Sequence, residues 1–165
     1  MTSLPGFDIR FSEQNDLESL NQWFLIAGTC DDFPFGPDEK DEALKNWIGF
    51  SKFKASLTAT LNGSPCAIGT LFLMPYKKVA HQCSFYLIVD PNERRKGIGF
   101  SMVRNLLHLA KTRFRLECIQ VEIFDPSPLL SLLQKLNFQE FVRQENFLHV
   151  NGCSRARILM EHFFV

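Results

Sequence analysis

Ser84 to Val89 is an almost unbroken apolar run that stops abruptly at Asp90-Pro91. Three consecutive cations follow, Arg94, Arg95 and Lys96. Gly97-Ile98-Gly99 then opens a stretch with apolar residues at Val103, Leu106, Leu107, Ala110 and Phe114. The run has the pattern of a central strand covered on both faces. The later spacing is that of an amphipathic helix over 97–114. The segment therefore reads as buried strand, short basic loop and helix, which commits the chain to an α/β fold.

The flanking sequence fills in the same plan. Phe7, Ile9 and Phe11 alternate as a strand should. Ser12 to Ala27 reads as a helix capped by Ser12, and Asp38 to Phe53 as a second helix beyond the loop Cys30–Pro37. Ala55–Leu61 and Cys66–Met74 flank Asn62-Gly63-Ser64-Pro65, a hairpin signal. Ile119–Phe124 is a further strand. Ser127-Pro128 opens a helix whose apolar side is Leu129, Leu130, Leu132, Leu133 and Leu136. Phe138–Val150 and Arg155–Phe164 close the chain as a hairpin around Asn151-Gly152. The order β-α-α-β-β-β-α-β-α-β-β predicts a single domain over 1–165. Its core is one mixed, mostly antiparallel sheet of about seven strands with about four helices.

Composition narrows the function. Apolar residues are 45% and charged residues 22%, which is globular and argues against disorder. Lys plus Arg and Asp plus Glu number 18 each, so the net charge is zero and the usual sign of a nucleic-acid binder is missing. The five cysteines are odd in number and none has metal-ligand spacing, so the expectation is reduced thiols and no metal. No leader and no membrane-length apolar run is visible, and the expected location is cytoplasmic, away from membranes.

The loop carries the chemistry. A helix N-terminus presents unpaired N–H groups and a partial positive charge, and glycines there admit an anion close to the backbone. Arg94, Arg95 and Lys96 add mobile charge, and the physical reading is a pyrophosphate cradle. A Walker loop is absent, and Met102 stands where a dinucleotide fingerprint needs its third glycine. Arg94, Gly97 and Gly99 match every fixed position of Arg/Gln-x-x-Gly-x-Gly/Ala, the signature of the GNAT N-acetyltransferase superfamily. Val89-Asp90-Pro91, the order of elements and Lys135-Leu136-Asn137-Phe138 also resemble that family.

The resemblance implies acetyl-CoA as co-substrate. It implies that the pantetheine arm pairs with Leu87, Ile88 and Val89, and that the pyrophosphate lies on the amides of Arg95, Lys96, Gly97, Ile98 and Gly99, with Phe100 and Ser101 beside them. It also implies an acyl-CoA N-acyltransferase fold splayed between the fourth and fifth strands, since the arm needs an open strand edge. The family's catalytic tyrosine falls at Leu133 and its asparagine at Pro126, and neither residue can serve.

An amine acceptor with pKa near ~10.4 must lose a proton before it attacks. Glu122, on the strand facing the cofactor strand, is either a base acting through water or an exposed carboxylate. His81 has the right titration range but sits in a loop, and Tyr86 is either functional or a packed ring. Asp31, Asp32, Asp38, Glu39, Asp41 and Glu42 crowd one loop and helix start. They either attract a cationic amine or reflect ordinary helix-start chemistry, with Asp38, Glu39, Asp41 and Glu42 complementing the helix dipole. Arg104, His108, Lys111 and Arg115 share one helix face, which either meets an anion or is solvated. The expected activity is direct acetyl transfer to a small-molecule or peptide amine by a monomer or homodimer. The competing expectation is a CoA-binding module without turnover.

Overall fold

A computed structural model describes residues 4–164. The strands are β1 (Phe7–Phe11), β2 (Ser56–Leu61), β3 (Ser64–Leu73), β4 (Gln82–Val89), β5 (Cys118–Asp125), β6 (Gln139–Val150) and β7 (Cys153–Phe163). They form one sheet in the order β1-β2-β3-β4-β5-β7-β6. Every neighbouring pair is antiparallel except β4 and β5, which are parallel. The helices are α1 (Leu17–Phe24), α2 (Lys40–Gly49), α3 (Ile98–Thr112) and α4 (Leu129–Lys135). This is the expected mixed sheet with four helices, and its parallel seam lies between the fourth and fifth strands.

Strand alternation divides the core into two layers. Phe85 and Leu87 of β4 face Met102, Val103 and Leu106 of α3 and Leu133 of α4. Ile68 and Ile88 face the other way, against Leu20, Phe24, Leu44 and Trp47 of α1 and α2. An added Cβ at Gly69 would lie 2.7 Å from Leu106 Cδ1, so this glycine lets α3 sit directly on β3.

Expected boundaries move for physical reasons at two helices and one hairpin. The first helix begins at Leu17 rather than Ser12, because the buried Ser12 hydroxyl bonds Thr58 (2.7 Å) and Ser56 (2.8 Å) instead of capping a helix. The second is shorter than 38–53: α2 ends at Gly49 and a tighter 3-10 turn, Phe50–Phe53, follows. Asn62 and Gly63 both have positive φ (51° and 85°), so the hairpin turns in two residues and β3 already begins at Ser64.

The hydroxyl chain ends on a buried carboxylate. Asp16 accepts from Arg10 Nη1 and Nη2 (2.8 and 2.9 Å), the Glu13 amide (2.8 Å) and the Thr58 hydroxyl (2.9 Å). Burial alone would raise its pKa, but these donors outweigh burial and hold the carboxyl below its ordinary value. The unfolded chain therefore takes up this proton first as pH falls. The stabilisation is complete above pH ~5 and is lost as pH falls through ~4 toward the lowered native value. Asp16→Asn is expected to lose roughly 2–3 kcal/mol at pH 7 and distinctly less at pH ~3. Urea denaturation at both pH values measures the difference.

Candidate active site at the β4–β5 splay

The parallel seam is short. Gln82, Cys83, Ser84 and Phe85 pair with Cys118, Ile119, Gln120 and Val121. Beyond Phe85, β4 stays on β3 as far as Ala67↔Val89, and β5 stays on β7 as far as Asp125↔Ala156. The strands part, and the β5-facing edge of β4 from Tyr86 to Val89 has no strand partner among the described residues. A cleft of about 520 Å³ fills the wedge, with Tyr86–Val89 on one wall and Val121, Glu122 and Ile123 on the other.

The basic loop forms one mouth of this cleft. The Asp90 carboxylate accepts the Asn92 amide (2.9 Å) in a tight turn. Arg95 and Gly97 then take positive φ (65° and 80°) and swing the chain into α3. The first helical bond runs from the Ser101 amide to the Gly97 carbonyl (3.2 Å), so the amides of Ile98, Gly99 and Phe100 precede it. Arg94, Arg95, Gly97, Ile98, Gly99 and Phe100 line the cleft. Lys96 instead forms an ion pair with Glu93, and Ser101 uses its amide within the helix; neither lines the cleft. The two glycines differ in role. A Cβ at Gly97 would meet nothing within 4 Å, whereas one at Gly99 would lie 3.4 Å from Leu132 and 3.8 Å from Val89. Gly97 leaves space for an anion, and Gly99 lets α3 pack close to α4 and β4.

Where the strands part, a polar ladder crosses the sheet. The Tyr86 hydroxyl donates to Glu122 Oε1 (3.5 Å), Arg157 Nε donates to Glu122 Oε2 (2.5 Å), and Arg157 Nη1 donates to Gln144 Oε1 (3.0 Å). Tyr86 is wedged among Phe72, Trp47 and Phe33, with ring centroids 5.2, 5.5 and 5.7 Å away. Burial first, and the adjacent Glu122 second, push its hydroxyl up to about 12. Tyr86 thus holds its proton at neutral pH and is available as a donor. The arrangement combines an anion mouth, an open strand edge and a carboxylate beside a protonated phenol.

The family model for the acetyltransferase (GNAT) family matches residues 17–138. This chain belongs to that family. Among solved structures, an N-acetyltransferase from Staphylococcus aureus Mu50 is 18% identical with a TM-score of 0.81, covering 95% of this chain and 98% of that one. A Salmonella typhimurium protein, yncA, solved with its cofactor acetyl-CoA, is 15% identical with a TM-score of 0.79, covering 96% and 94%. The ribosomal-protein-S18-alanine N-acetyltransferase of Escherichia coli is 19% identical with a TM-score of 0.74, covering 94% and 92%. At these identities the likeness establishes the fold. No curated protein matches the sequence significantly. The family's co-substrate, acetyl-CoA, is the donor for this acetyltransferase.

Of the remaining sequence candidates of the acetyltransferase, Asp32 alone lines the cleft. His81 is not brought to it: this exposed residue precedes the paired end of β4, and its carbonyl accepts the Glu117 amide (2.7 Å). Leu133, on the inner face of α4, is fully buried in the core. Of the six clustered acids only Asp32 lines the cleft, and it pairs with Arg155 (3.2 Å). Asp41 pairs with Lys40 (3.0 Å), and Glu39 accepts the Gly36 amide (3.2 Å). Arg104, His108, Lys111 and Arg115 are all exposed. Burial pushes the Cys83 thiol up to about 12 and raises Cys118 as well, which removes both as nucleophiles. No described helix is long and apolar enough to cross a membrane.

Sequence reasoning missed two arginines. Arg157 completes the ladder. Arg155 donates to the carbonyls of Phe124 (2.7 Å), Asp125 (3.3 Å), Pro126 (2.7 Å) and Asp31 (2.5 Å) besides the Asp32 carboxylate. It thereby ties the segment that carries Asp32 and Phe33 to the end of β5, across the open side of the splay. The available signal was their alternation with Ala156 and Ile158, which puts both on one face of β7.

Proposed function

We propose that residues 1–165 act as one N-acetyltransferase domain that moves acetyl from acetyl-CoA to a primary amine by direct transfer in a ternary complex. The pyrophosphate lies on the amides of Ile98, Gly99 and Phe100, flanked by Arg94 and Arg95, and the pantetheine arm runs along Leu87, Ile88 and Val89. Glu122, directly or through one water, takes a proton from the incoming ammonium. The neutral nitrogen attacks the thioester carbonyl, and its second proton leaves to solvent. As the C–S bond breaks, Tyr86 protonates the thiolate and recovers its proton from Glu122. The net products are an amide, the CoA thiol and one proton. The observation that carries this reading is the meeting of a protonated phenol and a carboxylate where the strands part.

The acceptor is a small-molecule or peptide amine. The site gives no support to a polycation, because the carboxylates lining the cleft, Asp32, Glu93 and Glu122, each hold an arginine or lysine. Five unpaired thiols fit a reducing, cytoplasmic compartment. The competing reading, a CoA-binding module without turnover, draws on Leu133 at the usual tyrosine position. The Tyr86–Glu122 pair favours turnover.

A panel of amino acids, amino-acid amides, peptides and polyamines, offered with acetyl-CoA, tests this reading. CoA thiol release together with an acetylated product by mass spectrometry is the expected result. Acetyl-CoA at about 100 times its dissociation constant should also stabilise the fold by roughly 2.7 kcal/mol. Stabilisation without turnover on any amine would establish the binding module instead.

A further inference from the structure

Glu122 is a flexible side chain at the edge of a cleft, and a glutamate left to itself samples many rotamers and turns to water. Here one oxygen is fixed. Arg157 Nε takes Oε2 (2.5 Å), which leaves Oε1 toward the Tyr86 hydroxyl. Arg157 is itself held on two sides. Gln144, directly opposite on β6, accepts its Nη1 (3.0 Å). The Phe147 ring lies 4.9 Å from its guanidinium carbon, and Phe147 stacks on the buried Phe124 at 6.2 Å and 11°. From β7, Arg157 reaches back past its strand partner Phe124 to Glu122.

We propose that Arg157 is a positioning residue for acetyl transfer: it locks Glu122 so that the second carboxylate oxygen faces the reacting amine in the splay. The inference rests on Glu122 as the proton acceptor. Neither neighbouring arginine can take over. Arg155 is engaged with five acceptors around the end of β5 and the Asp31–Asp32 turn, and Arg143 pairs with Asp125 (2.9 Å) and Glu145 (2.8 Å). Lysine is a poor replacement, because its single ammonium cannot present two planar donors while stacking on Phe147.

The test uses Arg157→Met and Arg157→Lys, each alone and combined with Glu122→Gln, on the best amine of the panel. Arg157→Met is expected to lower kcat by ~10- to 100-fold with the acetyl-CoA dissociation constant unchanged, and lysine to restore only part of the loss. In the Glu122→Gln background the same change should cause no further loss, because both residues act on one step. Additive losses, or a wild-type kcat for Arg157→Met where Glu122→Gln is impaired, would overturn the positioning role. Normal turnover of Glu122→Gln alone would instead defeat the reading on which it rests. If the methionine variant does not fold, Gln144→Ala removes the outer anchor and is expected to lower kcat by about threefold or more; an unchanged kcat there overturns the proposal. A readout that needs no acceptor is the titration of Tyr86, followed by near-ultraviolet absorbance in a Tyr76→Phe background. The charges that act on the hydroxyl are Glu122, which raises it, and Arg157, which lowers it. Arg157→Met should move the midpoint up and Glu122→Gln should move it down. A midpoint indifferent to Arg157 would show that it does not act at this site.

Discussion

Glu122→Gln is expected to lower kcat on an accepted amine by at least ~100-fold while acetyl-CoA binds as before. Glutamine keeps the volume, and its carbonyl oxygen can still accept from Tyr86 or Arg157, but it cannot take up the proton. The proposed donor site is on the α3 loop and β4, away from Glu122, so calorimetric affinity for acetyl-CoA separates loss of chemistry from loss of binding. Near-normal turnover would assign the proton to a water chain ending on backbone carbonyls. His81 would not inherit the role, because it stands at the paired end of β4, outside the cleft.

Gly97→Glu is expected to weaken acetyl-CoA by ~100-fold or more, about 2.7 kcal/mol, with the fold retained. An added Cβ at position 97 meets no atom within 4 Å, so the cost to stability is the positive φ of 80° alone, of order 1 kcal/mol. The new carboxylate, however, sits beside the amides of Ile98–Phe100 and repels the pyrophosphate from them. Gly97→Ala carries the same backbone cost without the charge and should keep most of the affinity. Calorimetry of both variants decides the matter, and equal affinities would place the phosphates elsewhere. Gly99→Glu is a poorer test, because its Cβ would already press on Leu132 and Val89.

What could be read from sequence was local. The apolar run of β4, the glycines before α3 and the Asn-Gly hairpins are each written in a few adjacent residues, and each lies where its chemistry places it. What could not be read depends on distant partners. Ser12 looks like a helix cap until its hydroxyl meets Ser56 and Thr58, more than forty positions away. Asp32 looks like bait for a cation until Arg155 reaches it from the other end of the chain. Arg157 looks like an ordinary surface arginine until strand order places β7 beside β5 and makes Glu122 its neighbour. Conversely, Tyr86 was legible only as a residue on β4, because its packing against Phe33, Trp47 and Phe72 and its contact with Glu122 depend on which strands part and where.

The four residue pairs joining β4 to β5 leave the two halves of the sheet as arms of a lever pivoting on Phe85 and Val121. Val89 lies four residues past the pivot, about 13 Å at ~3.3 Å per residue, so a rotation of about 5° shifts that end by about 1 Å. The same rotation moves the Tyr86–Glu122 pair, one residue past the pivot, by only about 0.3 Å. Arg155, gripping Asp31 and Asp32 on one arm and the end of β5 on the other, acts at the long end, where a brace resists rotation with the greatest leverage. A brace at that end therefore steadies the part of the splay where a small rotation would open the widest gap, while the apex at Tyr86 and Glu122 is held by the paired residues beside it.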